Sequence, residues 1–170
     1  MKQLLLLLFS CLLLTTTAFG QQEKIGFFSS SKLVGLFPES QAVQSQIDKI
    51  STEKQAVGTA LENELKAKIQ NFEKEKVGMA QILQESRIEE IRNLETKIQN
   101  YYANSRKEID AKRQELLKPI FEKVSAGIKQ VAEKHKFTAI IDLDTGGQFL
   151  LYIDASRNIL ELMKTELKLK

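Results

Sequence analysis

The chain has one cysteine, two prolines, one histidine and no tryptophan. The cysteine, Cys11, lies in a segment predicted to be removed, so the mature protein has no disulfide, thiol nucleophile or thiolate metal ligand. His135, the lone histidine, reads as a cation set against the negative end of a helix. No glycine-rich loop ends in Gly-Lys-Ser or Gly-Lys-Thr, which excludes ATP-driven action of the P-loop kind. Cationic runs never exceed two residues and the net charge is +3, too even for a dedicated nucleic-acid binder. No proline falls between Glu39 and Lys118, so nothing of that kind breaks a long helix there.

The one long apolar run, Leu4 to Leu14, is broken only by Ser10 and Cys11. Lys2 precedes it and Ala18-Phe19-Gly20 follows as a small-x-small cleavage site. Residues 1–20 therefore read as a signal peptide cleaved before Gln21. The run is short for a membrane span, and Cys11 lies too deep in it for a lipoprotein signal.

What is abundant is helical pattern. Val43, Ile47, Ile50, Val57, Leu61, Leu65, Ile69 and Phe72 form one stripe, and Ile88 to Val131 continue in steps of three and four. Between them lie Glu, Lys, Gln, Arg and Ala, good helix formers with solvated heads. The phase is lost around Gly78, where a reversal is predicted because glycine tolerates the dihedrals a turn needs. Residues 39–136 thus form an antiparallel helical hairpin, each arm roughly 60 Å long at about 1.5 Å per residue. Ser105 and Lys112 fall where the stripe calls for apolar groups, so the seam is thin. Gly58 should soften the first arm, and Pro119 should kink the second without ending it.

Residues 21–38 and 137–170 flank the hairpin. Lys24 to Ser29 reads as a strand, and Ser29-Ser30-Ser31 can cap a short helix that Pro38 closes. Phe137 to Leu143 and Phe149 to Ile153 read as two strands joined by the turn Asp144-Thr145-Gly146-Gly147, with a last helix capped by Asp154 or Ser156 and running through Leu167. Apolar groups lie on both faces of these strands. Two flanks of roughly 50 residues together are a small body to fold alone, and its sheet would have bare edges. With no disulfide and no metal motif, the expectation is that several copies share one β body. Its contact residues would be Ile25, Phe27, Phe28, Ile140, Ile141, Leu143, Phe149, Leu151 and Tyr152. The fold class is α+β, mainly α.

Strand, short helix, helical hairpin, β-hairpin and final helix behind a signal peptide resemble the Skp/OmpH family of periplasmic chaperones. The residues that carry the resemblance are Lys24-Ile-Gly-Phe-Phe-Ser with Pro38-Glu39, Leu116-Leu117-Lys118-Pro119-Ile120, Ile140 to Gly147, and Leu151-Tyr152-Ile153-Asp154-Ala155-Ser156. The resemblance implies a trimer whose coiled-coil tentacles enclose a cavity, in the periplasm of a Gram-negative bacterium. It implies that unfolded outer-membrane β-barrel proteins are held there without ATP, cofactor or enzymatic step. The best-studied members are more basic, so contact with lipopolysaccharide or membrane is expected to be weak.

A holdase must grip many apolar segments loosely, which suits pliant walls with scattered apolar groups. The candidate contacts are Phe72, Val77, Met79, Ile82, Leu83, Tyr101 and Tyr102. Phe72 and Tyr102 also fit the seam, whereas Met79, Ile82 and Leu83 lie near a tip where burial is difficult. Asp144-Thr145-Gly146 matches an aspartic-protease triplet, but those enzymes are β-rich and need two carboxylates sharing a proton. Asp142-x-Asp144-x-Gly146 hints at a calcium loop, yet Ile153 stands where a bidentate Glu is required. The competing reading is a passive coiled-coil spacer or adaptor in the cell envelope, which would hold one folded partner.

Overall fold

The computed structural model describes residues 23–169, and the predicted signal peptide lies outside them. Strand β1 (Ile25–Phe28) leads into helix α1 (Ser30–Gly35) and then α2 (Pro38–Glu75). A 3-10 turn, Lys76–Gly78, reverses the chain into α3 (Gln81–His135). Strand β2 (Ala139–Asp142), two 3-10 turns at Gly147–Phe149 and Ala155–Arg157, and α4 (Leu160–Glu166) complete the order. The molecule is a long antiparallel helical hairpin on a small β-containing body.

The hairpin seam on α2 advances in steps of three and four. On α2 the side turned from solvent carries Ile47, Ile50, Lys54, Gly58, Leu61, Leu65, Lys68 and Phe72. Val57 and Ile69, counted in the stripe from sequence, are instead exposed. Each lies one position off the period that keeps a seam facing its partner, and Gly58 and Lys68 occupy the seam beside them. On α3, Leu94, Ile98 and Ser105 are buried. Ion pairs rung the arms together: Glu39 with Lys123 at 2.6 Å, Lys54 with Glu108, and Lys68 with Glu90 at 3.1 Å. Such exposed pairs add little energy each but fix the register.

The reversal falls where the sequence places it, by a different device. Gly78 keeps a negative φ; the chain turns through the 3-10 segment and an extended Met79 (φ −91°, ψ 135°). At the far end, α3 passes through Pro119 without ending. Immediately beyond it Ile120, Val124 and Val131 are buried in one cluster with Phe28, Leu33, Val34, Phe37, Ile159 and Met163. The body therefore recruits the last four turns of the arm helix, and it has a core of its own within one chain. Full burial of a side chain such as Leu33 contributes about 1.5–3 kcal/mol. Gly127 lets α4 approach closely: a Cβ there would lie 2.6 Å from a methyl of Leu167.

The sheet corrects the expected β-hairpin. β1 pairs in parallel with β2, Ile25 opposite Ala139 through Phe28 opposite Asp142, and its other side bridges at Phe27 to Asn158. Residues Phe149 to Ile153 form no strand. The segment after β2 is tied to the start of α1, Asp142 and Asp144 accepting from Ser30 N and Ser31 N, and does not fold back beside β2. The chain coils on after β2 instead, Gly146 N donating to Asp142 O at 2.8 Å and Gly147 N to Leu143 O at 3.2 Å. The last helix is also shorter than expected. Asp154 caps only a 3-10 turn, its carboxylate accepting from Ser156 N at 2.9 Å, and α4 begins at Leu160.

Candidate client-contact surface

The two termini of the hairpin present different surfaces. At the tip, Val77 is 93% and Ile82 78% exposed, and Leu83 is also exposed. The turn that displays them is pinned from within: Gln84 Nε2 donates to the carbonyls of Lys76 at 3.0 Å and Met79 at 2.9 Å. A fixed backbone thus holds apolar side chains in water, an arrangement that core formation does not explain. Met79 and Phe72 are half-buried and line a cavity of about 210 Å³ with Ile91, rimmed by Lys68, Asn71, Glu75, Arg87 and Glu90. Lys68 and Arg87 both contact one oxygen of Glu90, at 3.1 Å each, and hold its carboxyl below the usual range.

Tyr101 and Tyr102 are placed otherwise. Tyr101 donates across the seam to the Lys54 carbonyl at 3.1 Å, and Tyr102 to Glu62 at 2.9 Å. The Glu62 carboxylate, followed by partial burial, raises the Tyr102 phenol above its ordinary value. Their rings meet edge to face, with centroids 6.0 Å apart. Both serve to join the arms, which leaves the tip residues as the better-presented part of the sequence-predicted set. The sequence pattern puts Val57 and Ile69 in the seam and does not single out Phe121, yet all three are exposed, the first two along α2 and Phe121 where α3 enters the body; counting by threes and fours from Ile47 through Gly58 and Lys68 leaves Val57 and Ile69 outside the seam.

The body shows a second apolar display. Leu151 is fully exposed and Tyr152 85% exposed, beside an exposed Phe149. Ile140, Ile141 and Leu143 are half-buried, and Ile25 is partly open. Phe27 and Phe28 are buried within the chain's own body, and so are not offered to another copy. Asp142 and Asp144, the motif weighed for chemistry, turn to the start of α1. Ser30 N donates to Asp142 Oδ1 at 3.0 Å and Ser31 N to Asp144 Oδ2 at 2.6 Å, while the Ser29 hydroxyl donates to both Asp144 oxygens at 3.1 and 3.0 Å. These bonds, the Ser31 amide first, hold the Asp144 carboxyl below its ordinary pKa, so it stays a carboxylate anchored to a helix start. No helix among the described residues is long and apolar enough to cross a membrane.

Comparison with known proteins fits this geometry. The profile of the family described as outer membrane protein (OmpH-like) matches residues 24–167. The chain belongs to the OmpH-like family. The match runs from the first residues of the body, along both arms, to the end of α4. An OmpH-like protein of Caulobacter crescentus CB15, a candidate outer membrane chaperone, shares the fold: its crystal structure superposes with a TM-score of 0.60 at 20% identity, over 85% of this chain and 83% of that one. No curated protein matches.

Proposed function

We propose that this OmpH-like protein is an ATP-independent holdase of the Gram-negative periplasm, exported with a cleaved signal peptide. It binds unfolded outer-membrane β-barrel proteins in a cavity between the helical arms of a homo-oligomer, read as a trimer. The observation that carries the proposal is the display of Val77, Ile82 and Leu83 in water at the end of a pinned turn. Apolar groups held far from any core can meet exposed segments of another chain, each weakly and several together. The seam supports the same reading, because Lys54, Gly58, Lys68, Ser105 and Lys112 interrupt its apolar packing and leave the arms pliant. The bare segment Phe149 to Tyr152 supports association of the bodies, for a lone copy leaves it uncovered. The neighbouring family structure, a candidate chaperone, is consistent with the role.

The test is suppression of aggregation when a denatured outer-membrane β-barrel protein is diluted from urea. The wild-type chain should keep it soluble, and replacing Met79, Ile82 and Leu83 with Ser should weaken that effect while the native mass is unchanged. A passive spacer would leave aggregation untouched in both cases. The native mass, measured on wild type and on Leu151→Ser/Tyr152→Ser, tests the association: a wild type that is monomeric at micromolar concentration would overturn it.

A further inference from the structure

The tip cavity has a shape and chemistry that the exposed residues around it do not. Its 210 Å³ is room for one large side chain, and too little for a helix or a folded surface. The apolar part is a phenyl ring, a thioether and an aliphatic group: Phe72, Met79 and Ile91. The rest of the lining is polar: Lys68 and Arg87, both paired with Glu90, together with Asn71 and Glu75. A thioether and a ring edge favour an aromatic guest over an aliphatic one, and an oriented guanidinium can stack on the guest's face. Val77, in the turn, and Ile82, in the first turn of α3, flank Met79 in the chain and are both exposed, so apolar groups are on offer close in sequence to the lining. The pinned turn means that the cavity need not form anew with each encounter.

We infer that this cavity is an anchor site for a single aromatic side chain on an extended, unfolded segment of a client, with the flanking residues of that segment lying over Val77 and Ile82. This rests on the holdase reading and deepens it, because it names where and by what side chain the client is held. Selectivity follows: segments with a phenylalanine or tyrosine are gripped, and segments equally long with only small residues are not.

Methionine composition supplies the test. The chain has three methionines, Met1, Met79 and Met163, and Met163 is fully buried in the body core. In full-length protein labelled with ¹³C at the methionine methyls, Met79 reports on the cavity and Met163 serves as an internal control. Titration to millimolar concentration with an unstructured Gly-Ser peptide carrying one phenylalanine should move the Met79 signal upfield, by the ring current, and leave Met163 in place. The same peptide with serine in place of phenylalanine should move neither. A Met79 signal that ignores both peptides, or answers both equally, overturns the proposal. Aggregation suppression on the same sample separates the two claims. Suppression with a silent Met79 removes the anchor site and keeps the holdase; a responsive Met79 without suppression keeps the site and removes the holdase.

Discussion

The Tyr102 ring lies directly on Gly58. A Cβ built on Gly58 would sit 2.6 Å from the phenol carbon that bears the hydroxyl and 2.7 Å from its ring neighbour, inside any real contact distance. The tyrosine crosses the seam over the glycine, and its hydroxyl reaches Glu62 beyond. The glycine thus opens a slot for an aromatic ring in the middle of a 38-residue helix. Softening of the arm is the accompanying effect of its low helix propensity.

Two effects oppose each other in Gly58→Ala. Helix propensity alone favours alanine by roughly 1 kcal/mol. Displacing a packed ring costs about 1–3 kcal/mol. Packing should win, so Gly58→Ala lowers the urea midpoint of the arm, and adding Tyr102→Ala to it should recover part of the loss. A stabilised single variant would show that the ring yields freely and that the glycine serves flexibility alone.

Gly78→Ala should behave in the opposite sense. Nothing lies within 4 Å of a Cβ built there, and φ is not positive. Alanine then restricts the unfolded chain without strain in the folded one, a gain of about 0.4–1 kcal/mol. Thermal unfolding of the two glycine variants side by side should move the midpoint in opposite directions.

How these features stood in the sequence follows from periodicity. A reversal near Gly78 was legible because the apolar phase is lost there, although the glycine is not what makes the turn. Most of the α3 stripe was legible for the same reason. Val57 and Ile69 misled because a hydrophobic residue one step from the seam still looks like part of a broad stripe, while Gly58 and Lys68 do not advertise that they face inward. The body was less legible. β1 and β2 were found by composition, but their parallel pairing depends on residues more than a hundred positions apart meeting across the whole hairpin. The carboxylates of Asp142 and Asp144 hold the start of α1, which local reading of Asp-Thr-Gly-Gly as a turn could not show. The tip contacts were named from position in the chain alone, and the cavity beneath them requires Phe72 and Ile91 to come together from separate arms.

Ser105 was expected to weaken the seam, and it is buried with a hydroxyl that has no hydrogen-bond partner. An unsatisfied buried hydroxyl costs about 1–3 kcal/mol. Ser105→Ala removes that cost with almost no change of volume, so it should raise arm stability by roughly 1 kcal/mol. If arm pliancy matters to client capture, the same variant should also hold clients less well. Hydrogen exchange along α3 checks the first expectation, with slower exchange around residue 105, and aggregation suppression checks the second.

Acid should loosen the body through Asp144. Its carboxyl is held below its ordinary value by the Ser31 amide and the serine hydroxyls, so the folded state favours the charged form. A group depressed in this way contributes stability at every pH above its unfolded value, and that contribution is lost as pH falls through the lower folded value. Glu39, Glu90, Asp154 and Glu166 are shifted in the same direction, so the wild-type chain as a whole weakens in acid. Asp144→Asn isolates one contribution: an amide accepts fewer bonds and carries no charge toward the start of α1. At pH 7 the variant should unfold at lower urea than wild type, and the gap should close as pH falls below about 4, where the unfolded carboxyl takes up its proton. Far-UV circular dichroism in urea at several pH values gives both curves. A gap that persists unchanged at pH 2 would mean that the loop is held by shape, and that the charge on Asp144 adds nothing to the anchor.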